Sequence, residues 1–183
     1  MEYKVMGSKI GIIALFVLTL GVSFGQSPST NEISFFVKSK LCTYNVPNNW
    51  ILDSTGTNGT TFFTYSEASD PNDKFRENVN LLVQDLSQYP GMNLEKYTEI
   101  SVNQIKSMIT ESNIEISKTY FSKPRPYQHV IYTGKQGMFK LKFEQYYFIS
   151  DNKAYVLTYT SEEKNYLKYL GSAQIILNSF RIK

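Results

Sequence analysis

The chain has 183 residues, 42% apolar and 15% aromatic, with 19 basic and 16 acidic residues and a formal net charge of +3. That length suits one domain, and ordinary charge with high aromatic content excludes a disordered chain, a collagen-like repeat or a polybasic nucleic-acid tail. One cysteine and one histidine exclude a disulfide framework and an ordinary Cys/His zinc site within one chain.

Lys4 and Lys9 give the N-terminus a positive flank, and Ile10–Phe24 is an almost unbroken apolar run without charge. Ser23 and Gly25 hold the −3 and −1 positions of a small-x-small exit before Gln26. These parts predict a secretory signal peptide over residues 1–25, cleaved after Gly25. A membrane span needs about 20 apolar residues, and the polar stretch Gln26–Asn31 follows too soon. The expected location is periplasmic or extracellular, with no stable membrane insertion after cleavage. No cysteine stands near the exit for a lipoprotein anchor. Cys42 reads as a small buried hydrophobe.

Residues 26–40 read as a flexible leader and 41–183 as a single domain. Leu41–Val46 and Trp50–Leu52 are short β runs split by Pro47-Asn48-Asn49, and a Gly-rich turn leads to a further run over Thr61–Tyr65. Ser66–Arg76 is a polar loop. Asn78–Leu86 alternates, with Val79, Leu81 and Val83 opposed to Asn78, Asn80 and Gln84, as in a half-buried strand. Asn93 then reads as an N-cap. The helix it opens carries Leu94, Tyr97, Ile100, Ile105, Met108 and Ile109 on one face, which must cover a sheet.

Four β runs follow, over 115–121, 127–133, 138–149 and 153–160. Ser150-Asp151-Asn152 is a tight turn that pairs the last two. Phe139, Leu141 and Phe143 read as core, while Lys140, Lys142 and Glu144 read as solvent-facing. From Tyr146 onward both faces turn apolar, which predicts cover on both sides. Ser161 reads as a cap for a closing helix that presents Tyr166, Leu170, Ala173, Ile176 (or Leu177) and Phe180. The class is α+β, an antiparallel β-sheet sandwiched between helices.

This layout and several strings within it resemble the PsbP-like superfamily. The matching pieces are Tyr44-Asn45-Val46-Pro47 with Trp50, the strand Glu77–Val83, and the helix opened by Leu94 and Tyr97. They continue with Ala154-Tyr155-Val156-Leu157-Thr158 and Ile176-Leu177-Asn178-Ser179-Phe180. They span the chain from about Leu41 to Phe180. The family contains an extrinsic protein of the photosystem II oxygen-evolving complex and secreted bacterial relatives of unassigned role. The resemblance implies an α-β-α sandwich and accessory binding rather than catalysis. With one histidine and a short leader, neither a histidine-built metal site nor a photosystem docking tail carries over.

Residues able to do chemistry are sparse. His129 shares a strand face with Tyr127 and Ile131 and reads as a hydrogen-bonded structural residue. There is no G-x-S-x-G elbow and no Gly-rich phosphate loop, and Gly134 and Gly137 read as a hairpin turn. Asp70, Asn72 and Asp73, with Glu67 and Glu77 nearby, lack the spacing of a calcium loop and read as a solvated turn. Lys118, Lys123, Arg125, Lys135, Lys140 and Lys142, interleaved with Tyr120, Tyr127 and Tyr132, form a mixture able to bind single-stranded nucleic acid or an anionic glycan. The small net charge favours a solvent face that discourages edge pairing.

No catalytic, cofactor-binding or metal-binding residue and no cofactor is predicted. The expected function is an exported, non-enzymatic binding or accessory domain that engages an envelope protein or complex and no nucleic acid. The alternatives are a secreted hydrolase with a site the pattern hides and, more weakly, a calcium-linked accessory subunit of the photosystem II type.

Overall fold

A computed structural model describes residues 34–68, 73–121 and 125–183. The predicted signal peptide, the start of the leader, Asp70–Asn72 and Lys123 lie outside the described residues. Strands β3 (Trp50–Asp53), β4 (Phe62–Ser66), β5 (Asn78–Asp85), β6 (Thr110–Tyr120), β7 (Tyr127–Gln136), β8 (Phe139–Ser150) and β9 (Lys153–Glu162) form one antiparallel sheet. Its order is β3-β4-β5-β9-β8-β7-β6. Strands β1 (Ser34–Lys38), β2 (Cys42–Pro47) and β10 (Arg181–Ile182) form a second, three-stranded sheet. Helices α1 (Leu94–Met108) and α2 (Tyr166–Ser179) complete the α+β architecture.

Local chemistry accounts for the element ends. Asn93 has extended φ/ψ, and its side chain accepts from the Lys96 amide at 2.9 Å, with Glu95 in the first turn and Lys106 in the last. That cap and those charges complement the helix dipole. Asp151 and Asn152 both have positive φ, 51° and 55°, the twist a two-residue hairpin demands. Strands β8 and β9 pair on either side of it without a break from Leu141–Glu162 to Ser150–Lys153.

The large sheet is covered on both faces. On one, α2 packs over β5 and β9 with the small sheet against α2 and β3, burying Tyr44, Phe62, Val79, Leu81, Leu157, Tyr159 and Ile176. On the other, α1 packs over β6, β7 and β8, burying Tyr97, Ile105, Val130, Tyr132, Leu141 and Tyr147. Strand β9 feeds both cores, with Tyr155, Leu157 and Tyr159 on one side and Ala154 and Val156 on the other. Each large apolar side chain so removed from water stabilises the fold by about 1.5–3 kcal/mol.

Several expectations are corrected. Five residues of the predicted leader form β1, held by pairing from Ser34–Pro47 to Lys38–Thr43. Asn78 and Asn80 point away from Val79 as read, yet they too are buried, because the opposite face is also covered. Met108 is 67% exposed because α1 ends there, and Ile109 takes the buried place. Ser161 is buried inside β9 instead of capping a helix, and Asn165 is the residue before α2.

Gly134 also departs from its reading as a turn residue. It is buried within β7, and a Cβ built on it would lie 2.2 Å from Ile109 Cγ2. The turn itself uses Gly137, at φ 58°. Gly134→Ala is expected to destabilise the protein by about 1–3 kcal/mol through overpacking. The same substitution in an Ile109→Ala background should cost much less beyond the effect of Ile109→Ala. Denaturant unfolding of the four proteins of this cycle checks both, and additive losses would contradict the contact.

Candidate functional site

Because α2 lies over β5 and β9, its side of the sheet is least covered along β6 and β7, while Tyr146 and Phe148 of β8 are half-buried against the α2-side core. The register brings Ile116, Lys118 and Tyr120 of β6 beside Ile131, His129 and Tyr127 of β7. Tyr146 and Glu144 of β8 sit beside His129 and Ile131 in turn. The aromatic rings make a continuous strip. Tyr120 stacks on Tyr127 at 5.2 Å, Tyr127 meets Tyr146 at 5.3 Å and Phe148 at 5.6 Å, and Phe148 reaches Phe180 at 5.7 Å. His129 lies 4.7 Å from the Tyr146 ring.

At the inner boundary of this face, where α2 begins, lies Glu144, which the alternation placed on a solvated side but which is 4% exposed. Its Oε1 accepts from His129 Nε2 and from the Tyr146 hydroxyl, each at 2.9 Å. Oε2 accepts from the Tyr166 hydroxyl at 2.5 Å, so the first residue of α2 is tied across β9 to β8. Burial works to raise the Glu144 pKa, but the hydrogen bonds from His129, Tyr166 and Tyr146 outweigh it and hold the carboxyl below its ordinary value. Burial, reinforced by Glu144, pushes the Tyr146 and Tyr166 hydroxyls up.

Glu77 is a second buried carboxylate with the opposite balance. It accepts from Asn165 Nδ2 at 3.1 Å and from the Ser66 and Ser161 hydroxyls at 3.4 Å each. Burial dominates and raises its pKa, aided by Asp73 and Glu162.

A histidine oriented by a buried carboxylate is half of a nucleophilic triad. Beside His129 lie Lys118 and Tyr146 across the sheet and Tyr127 and Ile131 along the strand. Among the described residues, none of these strand neighbours is a serine, threonine or cysteine. Cys42 is buried elsewhere, at the start of β2 in the small sheet, with its thiol pushed up by burial. Among the described residues no group of three or more His, Cys, Asp or Glu could hold a metal. A cavity of about 240 Å³ beside the loop after β5, lined by Leu86, Tyr89, Pro90, Met92, Ile149 and Asn152, holds no carboxylate or imidazole.

The basic and aromatic residues read from the sequence divide. Lys142 bridges Glu115 at 2.6 Å and lies 4.9 Å from the Tyr166 ring. Lys135 lies 3.5 Å from Glu111, and Lys118 lies over Tyr120 at 5.1 Å. Tyr120 and Tyr127 are on the open face, whereas Tyr132 is buried in the other core, stacked on Phe143 at 4.6 Å. The roles of Glu144 and Glu77 escaped the sequence reading. A usable signal for Glu144 was its place two residues before the aromatic run that begins at Tyr146.

An antiparallel sheet between helices is the architecture of solved structures that include a cyanobacterial PsbP. Cyanobacterial PsbP (CyanoP) from Synechocystis sp. PCC 6803 superposes with a TM-score of 0.60 at 12% identity, covering 87% of this chain and 98% of that one. LpqN of Mycobacterium tuberculosis, described as involved in cell envelope biogenesis, gives 0.57 at 11% identity, covering 82% and 90%. PA94 of Pseudomonas aeruginosa, a protein of unknown function described as a candidate regulator, gives 0.53 at 10% identity, covering 77% and 91%. No protein-family model and no curated protein matches the chain.

The two acids give opposite pH signatures. Glu144, with a lowered pKa, contributes stability that is present above the ordinary value of 4.5 and is lost as pH falls through its folded value. Glu77, with a raised pKa, favours the fold below 4.5 and opposes it as pH rises through its folded value. Glu144→Gln is therefore expected to lose about 2 kcal/mol at pH 7, in the range for hydrogen bonds to a charged group. Glu77→Gln should gain stability at pH 7, and both differences should shrink toward pH 3. Urea unfolding at the two pH values checks this, and a destabilised Glu77→Gln at pH 7 would contradict the assignment.

Proposed function

We propose that this protein is an exported, non-enzymatic binding domain that engages an envelope protein or complex through the open half of its α2-side sheet face. The observation that carries the reading is the strip Tyr120, Tyr127, Tyr146 and Phe148. These tyrosine and phenylalanine rings are only partly buried, and they lie on a rigid three-strand platform. Aromatic rings on rigid elements offer large contact area at low conformational cost. Among the described residues, the strand neighbours of His129 are Lys118, Tyr127, Ile131 and Tyr146, which favours binding over hydrolysis.

Export is supported by Lys4, Lys9, the apolar run Ile10–Phe24 and the Ser23-x-Gly25 exit. No helix among the described residues is long and apolar enough to cross a membrane. The envelope assignment accords with the role described for LpqN, a protein of the same fold. In this reading residues 1–25 are removed after Gly25, and the folded domain, placed at 41–183 from sequence, extends back to β1.

The test is capture from envelope extract with the tagged protein expressed in its own host, after cross-linking. The secreted form should begin at Gln26 by N-terminal mass analysis. A specific envelope protein should be retained, and Tyr127→Ala should reduce its recovery at least about tenfold, the size of a hot-spot loss. Unchanged recovery with Tyr127→Ala would remove the binding face, and turnover in a hydrolase screen without any partner would reverse the reading.

A further inference from the structure

Strand β6 ends the seven-stranded sheet, so its outer edge has no strand partner among the described residues. An open edge is a template for strand addition. Register shifts separate Thr110 from Asn113 and Ile114 from Ile116, and Glu111 has φ 54°. These irregularities leave Ile116–Tyr120 as the regular stretch, paired one to one with Ile131–Tyr127. Along it Ile116 is 39% exposed and Ser117, Lys118 and Thr119 are exposed, and Phe121 just beyond is 90% exposed. Ile116, Lys118 and Tyr120 point to the open aromatic face.

Charge decides what can add there. Lys135 and Lys142 each have a carboxylate partner, Glu111 and Glu115, while none of the ion pairs among the described residues involves Lys118. A second copy using the whole regular stretch in antiparallel, two-fold pairing would centre on residue 118 and set Lys118 against its own equivalent. Like charges directly opposite are destabilising. A foreign strand with an acid at that position gains what the self-pair loses.

We infer that the edge of β6 accepts an extended segment of the partner protein, with an acidic residue opposite Lys118 and apolar residues two places to either side, against Ile116 and Tyr120. This rests on the binding reading above and names the part of the partner that is held. Main-chain hydrogen bonds along the edge supply affinity, and the alternating side chains supply selection. A polypeptide can use that edge; a glycan or a lipid headgroup has no matching ladder.

The experiment uses the full chain and two blocked heptapeptides, Thr-Val-Thr-Glu-Thr-Val-Thr and its counterpart with lysine at the centre. Hydrogen exchange should slow at residues 116–120 on adding the glutamate peptide, which should bind about threefold to fivefold tighter than the lysine peptide. Lys118→Glu, at an exposed site, should reverse that order. Equal affinities, protection elsewhere in the chain, or no protection with either peptide would overturn the inference. So would a concentration-dependent dimer that protects 116–120 without peptide. Envelope capture that is sensitive to Tyr127→Ala but unchanged in Lys118→Glu would keep the binding domain and remove the edge from it.

Discussion

Two helices cannot cover both faces of seven strands, and the way they share the task sets the rest of the molecule. Helix α2 lies over β5 and β9, with the small sheet against α2 and β3, while α1 lies over β6, β7 and β8 on the opposite side. The covers are offset diagonally and overlap along β9, whose residues from Ala154 to Ser161 are all buried. The offset leaves the α2-side face of β6 and β7 without a helix over it. A sheet buried on one side can leave its other face to solvent, and this one fills it with rings. The candidate site is thus what the offset leaves over.

The boundary of that face is held by a charge. Glu144 lies where the α2 cover ends, and the Tyr166 hydroxyl reaches it from the first turn of the helix. Removing a carboxylate from water is costly unless its lone pairs are taken up. Here three donors from three positions take them up, which keeps the acid ionised despite burial. Glu77, near the same end of α2, receives only hydroxyl and amide donors at 3.1–3.4 Å, and desolvation wins. Two glutamates on one sheet are driven in opposite directions by the number and strength of their donors. A pair tuned apart in this way is found at acid–base sites, yet here both acids fasten α2, and His129 opens onto rings.

What the sequence made legible was local. Asn93 announced α1, Asp151-Asn152 announced the β8–β9 hairpin, and the spacing of Tyr166, Ala173, Ile176 and Phe180 marked the buried stripe of α2. The family strings gave the order of layers. What failed depended on contacts far along the chain. Alternation correctly sent Glu144 to the face opposite Leu141 and Phe143, but its burial comes from Tyr166, 22 residues away. Asn80 was likewise assigned the right side of β5 and the wrong environment. Strand β1 was missed because its five residues pair only with β2, and the segment before them reads as leader. Periodicity reports direction, and only the packed layers report what lies there.

At 10–12% identity, the likeness to CyanoP, LpqN and PA94 transmits layers and strand order, since packing rules tolerate wholesale substitution when pattern and volume persist. It transmits no site, because the same scaffold carries different surfaces. What this protein can bind is therefore set by its own side chains, at the ring strip, the Glu144 hub and the β6 edge. Of these the edge is the most constrained by physics. An open strand that simply avoided aggregation would do best with bulges and charge throughout. This one places bulges at its first half and then presents a regular run with isoleucine, tyrosine and a single lysine. The lysine at the middle of that run disfavours two-fold self-pairing without closing the edge to a strand of opposite charge.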